Sequence, residues 1–548
     1  MKFSYHIALI IFCIPLSLFS QVTLRDTVVR WQHHAFELND DYSMLSHSTE
    51  DTEIEEVLFD GKVLENELIR LVVLPDYGAR IISFVYKPTG YEHLYQSECG
   101  SAYGINEGNF YYNWLMVYGG IFPTFPEPEH GKTWLMPWNY SVLKYTTDTI
   151  TIRMEHTDST SFGGAPGGFN NGITHITCQV DVSVYRNSSL WDFDVRLINN
   201  KNYEVNYEYW TCTTLTPGSE TGNTGSPLNS EMIVPIGQYE AAWSPGGWIG
   251  DWGQRYAFDQ INYLSEWDDM GIAYAHELNS SYWGVINHDN SEGIFRISEN
   301  LATPGMKFWT WGKNNIDNDL FDFSNGGADN YIELWAGNSL AFFEDAHLEA
   351  NQQLAWKESY VPTSGMGGIT EINQDIAVFT STPNPDQLKL EINKFKNSDE
   401  FHVNLTITEE SLVIFDKSYN PDELQVLENI DLTAFGLANG SYTAAISITG
   451  NQGEMLLFTE ITLEIPTTSI SENNIFDFKV QPLGNNQILL NLSDLEHFDV
   501  YLTDIMGRTI DQKKGHRSSI QLSAMVDGIY IITVVTANST FSKKILLN

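Results

Sequence analysis

Apolar and polar residues alternate along most of this chain in short runs. Leu68-Ile-Arg-Leu-Val-Val-Leu74, Cys178-Gln-Val-Asp-Val-Ser-Val-Tyr185 and Leu190-Trp-Asp-Phe-Asp-Val-Arg-Leu197 all repeat with period two. That spacing sends successive side chains to opposite faces of a strand. Runs with the 3.6-residue period of a helix are almost absent, so the pattern predicts an all-β protein.

Turn-rich punctuation divides the strands into groups. Residues 21–57 lead into a large β domain over 58–365, which closes near Pro362-Thr-Ser-Gly-Met-Gly-Gly368. A second, Ig-like β-sandwich is expected over 373–465, with Phe401-His-Val-Asn-Leu-Thr-Ile407 and Gly440-Ser-Tyr-Thr-Ala-Ala-Ile-Ser-Ile448 as its clearest strands. A small C-terminal β-sandwich is expected over 475–548. Residues 1–20 read as an export signal peptide: Lys2 supplies a positive start, Ile7 to Phe19 an apolar core, and Ser20 a small residue before Gln21. Pro15 interrupts that core, and no later apolar run reaches the roughly 18 residues of a membrane span.

Composition narrows the partners. Acidic residues outnumber basic ones 71 to 29, for a formal charge of −42. A chain so charged lacks the basic footprint that binds phosphate backbones, which argues against nucleic acid. It suits a surface-exposed protein in salty water, where ions screen self-repulsion. With Cys13 in the signal segment, Cys99, Cys178 and Cys212 allow at most one internal disulfide, and none has zinc-site spacing.

Three submotifs stand in order near the C-terminus: Val500-Tyr-Leu-Thr-Asp-Ile-Met-Gly-Arg508, Gln521-Leu-Ser-Ala-Met-Val-Asp-Gly-Ile-Tyr530 and Lys543-Lys544. Physically they are short strands joined by Gly-centred turns. As a set they resemble the C-terminal sorting domain of the type IX secretion pathway of Bacteroidetes. The resemblance implies export to the cell surface or beyond, with the type IX machinery as a partner.

The large domain resembles another family. Glu67-Leu-Ile-Arg-Leu-Val-Val-Leu-Pro75 followed by Tyr77-Gly-Ala-Arg-Ile-Ile-Ser83 looks like the opening of galactose-mutarotase-like supersandwich domains. Pro126-Glu-Pro-Glu-His-Gly131 with Pro137-Trp138 is similar to their histidine-bearing cleft segment. Phe308-Trp-Thr-Trp-Gly312, Tyr331-Ile-Glu-Leu-Trp-Ala-Gly337 and Trp356-Lys-Glu-Ser-Tyr360 look like the closing blocks of an uncharacterised bacterial family of that fold. The resemblance covers about 300 residues. It implies an all-β supersandwich and a carbohydrate substrate.

Carried over residue by residue, Glu333 matches the strand glutamate that acts as general base in aldose epimerases, and His130 matches their cleft histidine. The strand expected to hold the second histidine instead reads Asn206-Tyr-Glu-Tyr-Trp-Thr-Cys212. Tyr207, Tyr209 and Trp210 stand there, so simple mutarotation loses its ring-oxygen acid. A tyrosine paired with a histidine can serve sugar β-elimination, with core packing the alternative for both tyrosines. Lys132, Arg255 and Lys307 lie near these blocks and could neutralise a uronate carboxylate, or could be ordinary surface residues. Trp243, Trp248, Trp252, Trp309 and Trp311 are candidates for stacking on sugar rings, whose C–H faces suit aromatic platforms.

No metal is assigned and no cofactor is expected, although Glu127, Glu129 and the Asp317-Asn-Asp319-Leu-Phe-Asp322 run leave a divalent cation such as calcium open. No P-loop, dinucleotide fingerprint, nucleophile elbow or His-Glu-x-x-His occurs. The expectation is a secreted or surface polysaccharide lyase acting by β-elimination on a uronate-containing, ulvan-like algal or plant glycan. In it His130 and Tyr209 move protons while Lys132 or Arg255 holds the carboxylate. A glycoside hydrolase or epimerase-like enzyme using Glu333 is the second reading. A non-catalytic glycan-binding protein is the third.

Overall fold

The computed structural model describes residues 21–40, 44–47, 53–96, 99–103, 114–116, 119–126, 131–133, 136–159, 173–215, 227–313, 331–397 and 400–465. Toward the C-terminus it describes 479–484, 487–492, 498–504, 508–516, 518–524, 526, 528–535 and 540–547. The chain divides into two compact units, Met1–Ile465 and Pro466–Asn548. Among the described residues there are strands and short 3-10 turns and no α-helix.

Two large, mainly antiparallel sheets dominate the first unit, one of 14 strands and one of eight among the described residues. The 14-stranded sheet runs in part through Gln238–Trp243, Gly271–His276, Gly305–Thr310, Ile332–Gly337, Trp210–Leu215, Gly120–Thr124 and Arg80–Tyr86. Thr23–His34 pairs with Ile54–Glu65 along twelve positions, so the boundary expected between 57 and 58 falls inside a strand of the same sheet. The alternation read from the sequence explains the layering. One face of each sheet is apolar, and the two faces meet in one core containing Ile81, Phe84, Leu334 and Phe308 from the large sheet and Val180, Val182 and Phe193 from the other. This is the supersandwich architecture.

The middle sandwich consists of two four-stranded sheets over Glu371–Ile372 to Met455–Ile465, closed on their own core of Val378, Leu390, Val403 and Ile446. It does not hang free. Ile372, Ala377 and Phe395 pack with Tyr282, Phe295 and Val361 of the eight-stranded sheet. The Ser189 N–H donates to the Phe395 carbonyl at 2.8 Å, and Asn393 exchanges two hydrogen bonds with the Ser364 backbone. An apolar joint closed by backbone bonds merges the two expected domains into one unit.

The second unit has a three-stranded and a four-stranded sheet around Ile488, Leu490, Val500, Leu502, Ile532 and Val534. Tyr530 of the Gly-Ile-Tyr motif is buried in that core. Arg508 of the Met-Gly-Arg motif bonds Asp504 at 2.7 Å.

Candidate functional site

The face of the 14-stranded sheet turned away from the interlayer core carries a second set of side chains. Register across five neighbouring strands sets Trp243, Ile272, Trp309, Glu333 and Thr214 in one transverse row. The next row runs Glu240, Tyr274, Lys307, Trp335, Cys212 and Phe122. Strands about 4.8 Å apart space each row closely enough for its side chains to touch. Most of the second row joins Trp210 and Phe342 in one aromatic floor.

Glu333 is the centre of this face. It is 8% exposed, and one carboxylate oxygen accepts the Trp335 indole N–H at 2.7 Å. Burial pushes its pKa up, opposed by the nearby Lys307 and by hydrogen bonds from Trp335 and Tyr331. The Lys307 ammonium lies 3.9 Å from the carboxylate, 3.8 Å from the centre of the Trp335 ring and 4.5 Å from that of Phe342. A recessed carboxyl raised toward neutrality beside a cation is suited to moving a proton. The burial of Cys212, in the row of Lys307 and Trp335, pushes its thiol pKa up. Cys212 and Cys178 are both free.

Aromatic residues extend the site. Trp309 stands opposite Glu333 in the register and is half-buried, with Trp311 at 4.6 Å and Tyr331 at 5.6 Å between ring centres. Tyr331 stacks on Tyr95 at 4.2 Å. Trp248, expected to stack on sugar, packs instead against the interlayer core, 5.4 Å from the buried Trp267 and bonded through its indole to the Met270 carbonyl at 2.9 Å, whereas Trp252 is exposed. Trp243, Trp248 and Trp252 share the turn-rich segment at the sheet edge.

Several expected roles do not survive this geometry. Tyr209 is fully buried in the interlayer core, edge-on to Trp356 at 4.9 Å, with its hydroxyl 3.2 Å from Thr211. Thr211 in turn donates to the buried Glu358. Tyr209 is therefore a core residue on the opposite side of the sheet from Glu333, because Glu333 shares parity with Trp210 and Cys212. Tyr207 is in the same core, its hydroxyl bonded to Asn338. Lys132 forms a fully buried ion pair with Asp158 at 2.7 Å and fastens two loops instead of awaiting a carboxylate. Arg255 is exposed on the edge strand Arg255–Ala257, 3.6 Å from Glu240. His130, Glu127, Glu129 and Asp317 to Asp322 lie outside the described residues.

Glu208 is a further buried carboxyl beside this face, not marked by any sequence motif. It precedes Trp210 by two positions, accepts the Trp210 indole N–H at 3.4 Å and is buried. Its other oxygen has no partner among the described residues. Burial lifts its pKa to about 9, and Asp345 and Glu344 push in the same direction. The signal available was its parity with Trp210, masked by three aromatic neighbours.

Residues 484–548 match the family described as secretion system C-terminal sorting domain. The C-terminal segment is a secretion sorting domain. The sorting domain directs the chain to type IX secretion and so to the cell surface or the extracellular space. Among the described residues no helix is long and apolar enough to cross a membrane.

The remainder is similar to solved structures at low identity. A TPR-domain containing protein from Parabacteroides distasonis superposes with a TM-score of 0.51 at 17% identity, over 64% of this chain. The chain spans 57% of that protein's length. A putative aldose 1-epimerase from Klebsiella pneumoniae is 12% identical, covering 62% of this chain and 91% of its own, with a TM-score of 0.41. A galactose mutarotase related enzyme from Lactobacillus acidophilus is 13% identical, covering 57% of this chain and 100% of its own, with a TM-score of 0.38.

Proposed function

We propose that this chain is a secreted or surface-held enzyme acting on carbohydrate, with Glu333 as the group that moves the proton. The observation that carries the reading is the Glu333–Lys307 pair, recessed on an aromatic floor in register with Trp309 and Trp243. Partly exposed indole rings beside a carboxyl of raised pKa are what a sugar ring and its acid–base partner require.

The reaction supported best is β-elimination on a uronate-containing polysaccharide, with the roles redistributed. Lys307, in place of Lys132, neutralises the uronate carboxylate and acidifies the C5 proton. Glu333, in place of Tyr209, takes that proton as the C4–O4 bond breaks and a C4=C5 double bond forms. The departing oxygen takes a proton from a second acid, for which His130 is the candidate left once Glu333 replaces Tyr209. Hydrolysis would instead need a second carboxyl group across the scissile bond at roughly 5–9.5 Å from Glu333, a role that falls to Glu127 or Glu129.

The test follows ultraviolet absorbance and reducing ends together, using the mature protein on uronate-containing and neutral polysaccharides. A parallel rise on uronate substrates, lost in Glu333→Gln, is expected. Reducing ends without absorbance would replace elimination with hydrolysis. Retention on a glycan column with neither signal would replace catalysis with binding.

A further inference from the structure

Outside the site, a two-stranded ribbon pairs Val205–Tyr207 with Ala346–Leu348. Its inner face, Val205, Tyr207 and Leu348, belongs to the interlayer core. Its outer face holds only donor side chains. The antiparallel register of Val205 with Leu348 places Glu204 opposite Glu349, with His347 two positions before Glu349 on the same side. Asn206, opposite His347, bonds Asp345 at 3.0 Å on that face. One ligand atom from each of Glu204, His347 and Glu349 lies within 4.8 Å of the other two.

Two carboxylates directly opposite on paired strands repel each other. The usual remedy, a lysine or arginine partner, is missing for both among the described residues. The backbone is nevertheless held in this register. The buried Asn199 side-chain amide donates to the carbonyls of Tyr203, Leu348 and Glu349 at 2.9, 3.1 and 2.9 Å. The three donors are thus presented by a fixed scaffold, with only exposed side chains left to adjust.

We propose that Glu204, His347 and Glu349 bind a divalent transition-metal ion. One imidazole and two carboxylates suit a borderline cation such as Zn²⁺ or Mn²⁺, whereas an all-oxygen set would suit calcium. Ligands about 2.1 Å from a tetrahedral metal lie roughly 3.4 Å apart, so small rotamer shifts close the site and leave a position for water. The bound ion offsets the Glu204–Glu349 repulsion and clasps the ribbon next to the Phe342 loop, which packs against Trp210 and Trp335.

The full mature chain, stripped with chelator, is titrated calorimetrically with Zn²⁺ and separately with Mn²⁺. Saturable binding of at least one of them is expected. His347→Ala and Glu349→Gln should each weaken it roughly tenfold or more, at least what loss of an outer partner costs a metal site. Both side chains are exposed, so circular dichroism should show the fold retained. Absence of saturable binding up to millimolar metal would overturn the proposal. So would binding that both substitutions leave unchanged.

Discussion

The Trp335 indole N–H donates to the Glu333 carboxylate at 2.7 Å from two positions along the same strand. A donor fixed by its own strand stabilises the ionised form without reorganisation, which offsets part of the burial penalty on Glu333. Trp335→Phe should therefore move the acid limb of the pH–rate profile up by about one unit, while Glu333→Gln should cost roughly 10²–10⁴-fold in rate. Rates across pH on a uronate substrate check both. An unmoved acid limb in Trp335→Phe would remove Glu333 as the titrating base.

Lys307 acts on the same carboxyl from the other side, 3.9 Å away. Lys307→Met keeps an apolar stem over the Trp335 and Phe342 rings but removes the charge. Glu333 should then hold its proton to still higher pH, and binding of uronate substrates should weaken far more than that of neutral ones. Comparing KM on a uronate glycan and its carboxyl-reduced form measures this. Equal losses on both would mean that Lys307 is structural.

The fold was legible because period two is a local signal, and the layers follow from it. Which face of a strand meets the cleft was not. In Tyr207-Glu208-Tyr209-Trp210 both parities carry large aromatic groups, and the chain leaves regular strand pairing at Glu208 and Tyr209. The pattern alone gave no reason to send Tyr209 inward and Trp210 outward. Glu333 can be singled out from sequence because it sits within a recognisable block. The fate of Lys132 was hidden, since the partner that buries it, Asp158, is distant in sequence and contributes nothing to the local pattern.

That buried pair makes a stability prediction. Asp158 also accepts the Thr174 N–H and hydroxyl, at 2.5 and 2.8 Å. Asp158→Ala removes the acidic partner of a buried ammonium, and such losses cost about 3–5 kcal/mol. The double variant Lys132→Met with Asp158→Asn removes both charges and should lose much less. Thermal melts rank the two. If the pair only fastens loops, the folded double variant should keep activity on uronate substrates within a few-fold.

Glu208 gives a prediction of opposite sign. Its folded pKa, about 9, lies above the ordinary carboxylate value near 4.5, so the folded state holds a proton that the unfolded state releases. Stability from this group is complete below pH 4.5 and falls as pH rises toward 9, by up to about 1.4 kcal/mol per unit. Glu208→Gln keeps the neutral shape and the acceptor for Trp210 while removing the titration. The wild-type melting temperature should therefore decline between pH 5 and 9 more steeply than that of Glu208→Gln, with the variant the more stable at pH 8. Parallel profiles would mean that Glu208 is ionised in the folded chain, with its unpaired oxygen satisfied by water.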